Sequence, residues 1–574
     1  MKRNNWLIVV AAAIAVAVAL PLWRALDPPE KSEKHSNARY IEHIPAVQDA
    51  ARAPQMPAQP RAPVERVQVP AGRAIVVQLT DPPAESIGGA EPSETDDFYR
   101  AAVREIAGPD AIYDRNLGVA AREFVVQYTE LGQEPPTEIR EFLITASGAL
   151  ANDTLFQHAR TSSEDKSALN KAIAAVSAQG PSGAGALHIG VGELFEPGRA
   201  LSRHIGVVAT HLAMEIQPLP RRLAKGATLH VRGRIVGSWR DVHALLAGPG
   251  REIVSVDPQI QQDRIALDAP VGELAGTLEV QFVGDGPLGP GKLLQFQVQI
   301  DQPLPQVLRT HLPADESRIQ TADAAQDLAF LLLNADRSQH NLEPLQRDAR
   351  LDAIAREHSA DMRDNHFFSH RSPTTGMHDD RLRAAGYKAV ASAENLAHNA
   401  SMFEAEQGLM HSLGHRRNIL DSRVTRVGMG VAGEDGEDGH RRWWLTQLFA
   451  KPVQIIDISN EKQVLVRAIA ERRAQAGLGP LRSDPDLDEV AQRVATQALG
   501  ADVQAASSQA LALCRSRDLL RGKLRSWAAQ LPDLGQVPWP DSVDAAAGQR
   551  LGLGLAQDPQ SEDGHLALVL LVAD

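Results

Sequence analysis

Asn365-His-Phe-Phe-Ser-His370, Glu394-Asn-Leu-Ala397 and Gly414-His-Arg-Arg-Asn-Ile-Leu420 place the histidines His370 and His415, the acid Glu394 and several amide and arginine anchors inside the interval 365–420. Upstream, Asp348 stands where a helix begins, able to offer its carboxylate to free backbone N–H groups. Leu351, Ile354, Ala355, His358 and Met362 then recur on one face of that helix, so His358 belongs to the buried stripe and reads as a hydrogen-bonded core histidine. His370 follows Phe367-Phe-Ser369 and precedes Ser372-Pro373, which ends the helix and sets the ring at a loop mouth. Glu394 and Asn395 are read as a turn after Gly386-Tyr387, with no cation close in sequence to pair with the carboxylate. His411-Ser-Leu-Gly-His415 has the spacing of a zinc-protease helix, but Ser412 stands where a water-activating Glu is needed, and Gly414 weakens a regular helix.

Working outward, Leu342-Glu-Pro-Leu345 and Asp348-Ala-Arg-Leu351 precede these motifs, and Val427-Gly-Met-Gly-Val-Ala432 and Trp443-Trp-Leu-Thr-Gln-Leu-Phe449 follow them. In this order they resemble the bacterial, cysteine-poor branch of the CAP superfamily (cysteine-rich secretory proteins, antigen 5 and pathogenesis-related 1, or SCP domains). The resemblance runs from about Ala329 to Pro452 and implies a three-layer α-β-α sandwich. It also implies that His370, Glu394 and His415 converge in one cleft. Larger eukaryotic members add a second Glu before the Gly-His; here Leu409-Met-His-Ser-Leu413 fills that region, and Glu404 and Glu406 come too early.

Two imidazoles and a carboxylate allow three chemistries. They can hold a divalent cation such as zinc with one position left for water. They can act as a general acid/base unit, or they can form a hydrogen-bonded network at the floor of a ligand cleft. The remaining motif residues read as structural. Asn395 and Asn418 fix loop backbone, and Arg381 and Arg416 each hold an acid or a chain carbonyl. Gly428 and Gly430 permit close packing. Trp443, Trp444 and Phe449 fill the core, with Gln447 pointing the other way.

A chain of 574 residues has room for several domains. Its net charge of −13 and the lack of a Lys/Arg stripe interleaved with aromatics argue against nucleic acid as a partner. Met1-Lys-Arg3 is basic, and Trp6 to Trp23 is an uncharged apolar run just long enough to cross a bilayer. It reads as a signal anchor, the alternative being cleavage after Ala17-Val-Ala19 and secretion. Either way the bulk of the chain is exported, to the periplasm or the cell surface. With Cys514 the only cysteine, no disulfide forms within the monomer, and Cys514 reads as a small core residue.

The organisation follows from composition and period: 1–26, signal anchor or signal peptide; 27–72, a Pro/Ala-rich tether; 73–217, a helical region that is either an ordinary helical domain or a worn CAP-like one. Its Gly/Ser/Ala stretch Gln179 to Ala186 leads to His188-Ile-Gly-Val-Gly192. Short alternating runs such as Leu278-Glu-Val-Gln-Phe282 make 218–305 a small β-sandwich, most densely between about Arg221 and Leu304. The CAP domain takes 320–455. From 460 to 574 the pattern repeats. Arg337 through Ala355 matches Arg473 through Ala491 without a gap, Arg426-Val-Gly-Met-Gly resembles Arg550-Leu-Gly-Leu-Gly, and Glu437-Asp-Gly-His440 recurs as Glu562-Asp-Gly-His565. This copy lacks the histidine and Glu-Asn motifs, so it reads as a degenerate CAP-like module. The chain is thus α+β and multidomain: an exported, membrane-tethered module that binds a lipid, glycan or protein of the cell envelope. The alternative is a metal-dependent, peptidase-like hydrolase using His370, Glu394 and His415.

Overall fold

The computed structural model describes residues 72–574 apart from short stretches, the longest being 90–93, 163–166, 179–185, 197–201, 437–440 and 559–563. The apolar run at 6–23, the tether up to 71, most of the Gln179–Ala186 stretch, the Glu437–His440 motif and part of its Glu562–His565 repeat lie outside the described residues. Among the described residues no helix is long and apolar enough to cross a membrane.

The first module is built on helix α1 (Arg115–Leu131), whose cap Asp114 accepts the Leu117 N–H and whose end turns at Gly132 with φ 70°. Helix α2 (Thr137–Ser147) packs beside it. Strands β1 (Ile112–Tyr113), β2 (Thr154–Ser162), β3 (Ala186–Glu196) and β4 (Ser202–Leu212) form one sheet in the order β1-β3-β4-β2, with β1 parallel to β3 and the other pairs antiparallel.

The alternating runs that follow form two sheets. Thr228–Ile235 lies in a four-stranded sheet, and Arg240–Ala247, β5 (Gly276–Gly286) and β6 (Gly289–Ile300) in a five-stranded one. Period two sends Leu229, Val231, Ile265 and Leu267 of one sheet, and Val280, Phe282, Leu294 and Val298 of the other, into a shared core.

The CAP segment has helices α3 (Ala322–Gln339), α4 (Ala349–Asp364), α5 (His378–Ala384), α6 (Met402–His411) and α7 (Leu413–Ile419). Its strands β7 (Gln346–Arg347), β8 (Ala389–Asn399), β9 (Arg426–Asp435) and β10 (Arg441–Pro452) run in the order β7-β9-β10-β8. One face of this sheet buries Leu448 and Ala450 against Leu351, Ile354 and Ala355 of α4. The other buries Trp443, Leu445 and Phe449 against α3 and α6. The result is the three-layer α-β-α sandwich.

The C-terminal segment adds helices α8 (Ile458–Gln475) and α9 (Pro485–Ala498) and strands β11 (Arg482–Ser483), β12 (Leu524–Leu531), β13 (Arg550–Gln557) and β14 (Leu566–Ala573), ordered β11-β13-β14-β12. All three sheets therefore share one order, each with a leading parallel pair.

Two details show how deep the repetition runs. A Cβ on Gly430 would lie 2.1 Å from the carbonyl carbon of Ala355, and one on Gly554 2.1 Å from that of Ala491; Gly192 meets the Ala121–Arg122 backbone as closely. Each sheet thus touches its helix backbone at an equivalent turn, a contact only glycine permits. Arg337 donates to the Glu343, Ile419 and Asp421 carbonyls, and Arg473 to those of Gly479, Val543 and Ala545. Both are about 2% exposed, so each guanidinium replaces water for carbonyls that the fold would otherwise strand. Cys514 is buried in the alanine-rich core of the last module.

Candidate functional site

Glu394 lies in the middle of β8, opposite Leu448 of β10, and not in a turn. The short run Ala389–Asn399 alternates across a sheet, which the preceding Gly386-Tyr387 pair masks in the sequence. Alternation turns Glu394 toward α4 and Asn395 toward α3 and α6. The carboxylate, with its side chain only 1% exposed, accepts from His370 Nδ1 at 3.0 Å and also from the Arg381 guanidinium. A cation is therefore present after all, delivered from α5. Arg381 also donates to the His370 and Gly376 carbonyls, which fastens the loop carrying His370.

Burial alone would raise the Glu394 pKa. The hydrogen bond from His370 and the charges of His370 and Arg381 outweigh it and hold the acid down to about 2. His358, 1% exposed, donates from Nε2 to the Ser369 carbonyl at 3.1 Å and stands 4.0 Å from Glu394. Burial, reinforced by Arg381 and His370, lowers its pKa to about 4, so its ring is neutral and fixes the loop from below.

His415 opens α7. Its ring centroid is 6.4 Å from that of His370, so the structure brings the two rings onto the same side. Burial, then the charges of His370 and Lys292, push the His415 pKa down to about 3. Ser412 separates α6 from α7, so His411 and His415 do not share one helix.

Beneath this layer Asn418 donates to Asn395 Oδ1 at 2.9 Å, and Asn395 donates to the His415 carbonyl at 3.2 Å and to Gln447 Oε1 at 3.1 Å. Gln447 donates on to Glu406 at 2.6 Å. Gln447 consequently shares its face with Trp443 and Phe449, as period two requires, and Trp444 is the residue turned the other way, stacked on His398 at 4.3 Å. Glu406 is fully buried beside Asp336; burial and the neighbouring acid both raise its pKa. Glu404 instead binds Arg140 and Thr137 of α2, each at 3.0 Å.

The cleft implied by the resemblance is not open, because the β-sandwich packs against it, leaving Glu394 buried and His370 and His415 half-buried. Ser369 Oγ donates to the Leu288 carbonyl at 2.6 Å, and a Cβ on Gly289 would lie 3.6 Å from His370 Cβ. Gln281 of β5 donates to Ser412 Oγ at 3.0 Å and accepts the Gly414 N–H at 2.7 Å, and Gln295 of β6 donates to the His411 carbonyl at 2.7 Å. Arg416 makes a two-pronged ion pair with Glu279, both contacts at 2.8 Å. Leu413 packs into an apolar cluster with Leu245 and Ala247. No local motif in the chain announces this docking, since each contact joins residues more than eighty positions apart.

The same geometry tests the metal reading. Both Glu394 oxygens are taken, one by His370 and one by Arg381, and among the described residues no three His, Cys, Asp or Glu side chains are grouped to hold an ion. In this arrangement a hydrogen bond joins His370 to Glu394, and His415 enters through its backbone carbonyl, which accepts from Asn395.

Comparison with known proteins agrees with the motifs. Residues 330–449 match the family model described as CAP, the cysteine-rich secretory protein family. The chain is 39% identical over 100 residues to YkwD of Bacillus subtilis (strain 168), which is 17% of this chain and 39% of that protein. It is 36% identical over 115 residues to the membrane protein YlbC of the same organism, 20% of this chain and 33% of that protein. The chain thus spans well under half of either relative's length. A solved extracellular SCP-domain protein from Bacillus anthracis str. Ames is similar at 26% identity over 34% of this chain and 65% of its own, with a TM-score of 0.21. An outer surface protein from Borrelia burgdorferi is similar at 16% identity over 23% of this chain and 96% of its own, with a TM-score of 0.20. Residues 330–449 are thus a CAP domain, of the cysteine-rich secretory protein family.

Proposed function

We propose that this protein is an exported, membrane-tethered CAP protein that works as a binding module of the cell envelope, recognising a lipid, glycan or protein without chemical turnover. One observation carries the reading: the acid at the heart of the motif cluster is buried, bound on both oxygens and roofed by the sandwich. A carboxylate with a pKa near 2 that is already paired with an arginine is a poor proton acceptor at neutral pH. A half-buried His415 lowered to about 3 is likewise a poor source of protons. The tether is inferred from the basic start and apolar run of the first 26 residues, and the YlbC relative bears the description of a membrane protein.

The test is to incubate the purified chain with an envelope extract containing lipids, peptidoglycan fragments and proteins, then identify by mass spectrometry what is retained. Retention of a defined component, with no cleavage of peptide or ester substrates, supports the reading. Turnover that disappears in His370→Ala contradicts it.

A second reading, metal-assisted hydrolysis, draws on one feature. Glu394 orients the His370 ring through Nδ1 and leaves Nε2 turned away from the carboxylate, an arrangement that suits an imidazole ligand. It requires the sandwich to withdraw and Glu394 to exchange Arg381 for the ion. Stoichiometric metal in the purified protein, lost in His370→Ala and His415→Ala, would select this reading.

A further inference from the structure

The outer face of α4 carries a second feature, on the side of the module away from His370. A groove of about 560 Å³ is floored by small residues, among them Ala353, Ala360 and Ala432, and rimmed by Arg356, Arg363 and Arg441 with Glu357. The acids that pair with these arginines are all water-exposed. Asp323 lies 3.8 Å from Arg356, Asp364 2.7 Å from Arg363 and Asp435 3.4 Å from Arg441, with acid side chains 86%, 60% and 79% exposed. Such pairs are worth little and exchange readily for a better-placed anion.

The first module shows what this helix position can do. Counted from the capping aspartates Asp114 and Asp348, Arg122-Glu123 of α1 occupies the same turn as Arg356-Glu357 of α4. On α1 that pair already holds the bend at Thr80 and Asp81 that follows the strand Ala74–Gln78. Glu123 accepts the backbone N–H groups of Thr80 at 3.2 Å and Asp81 at 3.3 Å, as well as the Thr80 hydroxyl. Arg122 pairs with the Asp81 carboxylate at 2.8 Å. Glu123 is only 4% exposed under this segment, whereas Glu357 is exposed. The same Arg-Glu pair thus appears twice, once covered by the bend carrying Asp81 and once bare above an apolar floor with two further arginines.

We propose that the α4 groove binds a short segment of a partner protein that carries an acidic side chain. Glu357 takes backbone N–H groups of the segment, Arg356 takes its carboxylate, and Arg363 and Arg441 favour further acids along it. Main-chain recognition supplies affinity, and the arginines supply the choice of sequence. The inference rests on the binding reading above and names the surface and partner class for it.

The test uses the full chain and a fluorescent peptide copying Val76 to Pro83, the sequence that the first module itself holds. Anisotropy should show saturable binding that weakens at least tenfold with Arg356→Ala, with Glu357→Gln, and with the peptide's aspartate changed to asparagine. Arg122→Ala in the first module should leave it unchanged. Arg356 and Glu357 are exposed, and unchanged circular dichroism of the variants confirms folding. No binding, or binding indifferent to the two α4 changes, overturns the proposal. So does an Arg356→Ala effect confined to self-association of the chain. Because the envelope-extract experiment has its own readout, a component retained there while the peptide fails would overturn this inference alone.

Discussion

Replacing Glu394 by Gln keeps the shape of the side chain and removes its charge, so the cost can be worked from the structure. The variant leaves the Arg381 guanidinium, whose side chain is 5% exposed, without a counter-ion. Removing one partner of a buried ion pair costs about 3–5 kcal/mol. An independent route starts from the carboxyl pKa, lowered from 4.5 to about 2. That shift corresponds to roughly 3 kcal/mol, and the two routes agree. The sign follows from the direction. A depressed carboxyl contributes stability that is present above pH 4.5 and lost as pH falls toward 2. At pH 7, urea unfolding followed by tryptophan fluorescence should therefore show the variant's CAP transition earlier by about 1–3 M for a cost of about 3 kcal/mol, given slopes of about 1–3 kcal/mol per molar. Near pH 3 the gap should narrow, because the wild-type carboxylate is losing its own advantage. Coincident transitions at pH 7, or a gap that stays constant down to pH 3, would refute the claim that this ion pair holds the site together.

Other consequences point in different directions. The buried pair Glu406 and Asp336 behaves oppositely to Glu394: burial raises both, Asp336 to about 6. Their contribution is present in acid and lost as pH rises through those raised values, so Glu406→Gln should stabilise the chain at pH 8 by about 1–2 kcal/mol and change little at pH 4, measured by thermal melting. Neutral His358 and His415, lowered to about 4 and 3, contribute stability above pH 6.5 that disappears as pH falls through those values; His415→Gln should flatten this acid loss in urea titrations. Gly430→Ala and Gly554→Ala each force a Cβ to 2.1 Å from helix backbone and should cost at least about 2–3 kcal/mol, so a melting curve unmoved by either would contradict the sheet–helix approach described. Arg473→Ala, which strands three carbonyls, should destabilise by about 3 kcal/mol or more, and a neutral result would show those carbonyls reach water.

The parts of this architecture that could be read from the chain are those encoded locally. Asp348 and Asp484 announce helix starts through their own capping chemistry, and the spacing of Leu351, Ala355 and Gly430 reflects a sheet and helix that meet every turn. The repeat from Arg337 and from Arg473 was visible because the same arginine solves the same carbonyl problem twice. Sequence also located His370, Glu394 and His415, since their motifs are contiguous. What it did not reveal were the contacts made at long range. Arg381 looked like one arginine among several until α5 set it against Glu394. Gln281 and Gln295 alternate like any polar residues on a sheet, yet they bind Ser412, Gly414 and His411. The face of Gln447 was misassigned because a polar residue among Trp443, Leu445 and Phe449 suggests an exposed side; buried Glu406 and Asn395 supply its partners instead.

The central claim is that the sandwich docks on this cluster, leaving Glu394 and His358 buried and His370 and His415 half-buried. It is tested most directly by measuring the rate at which diethyl pyrocarbonate modifies each histidine of the native chain, read by peptide mass spectrometry. His230, with its side chain 64% exposed, and the exposed His366 should react quickly. His358 should remain unmodified until the protein unfolds, half-buried His415 should react more slowly than His230, and Glu279→Ala with Gln281→Ala should speed modification of His370 and His415. Modification of His415 in the native protein as fast as that of His230 would contradict the account.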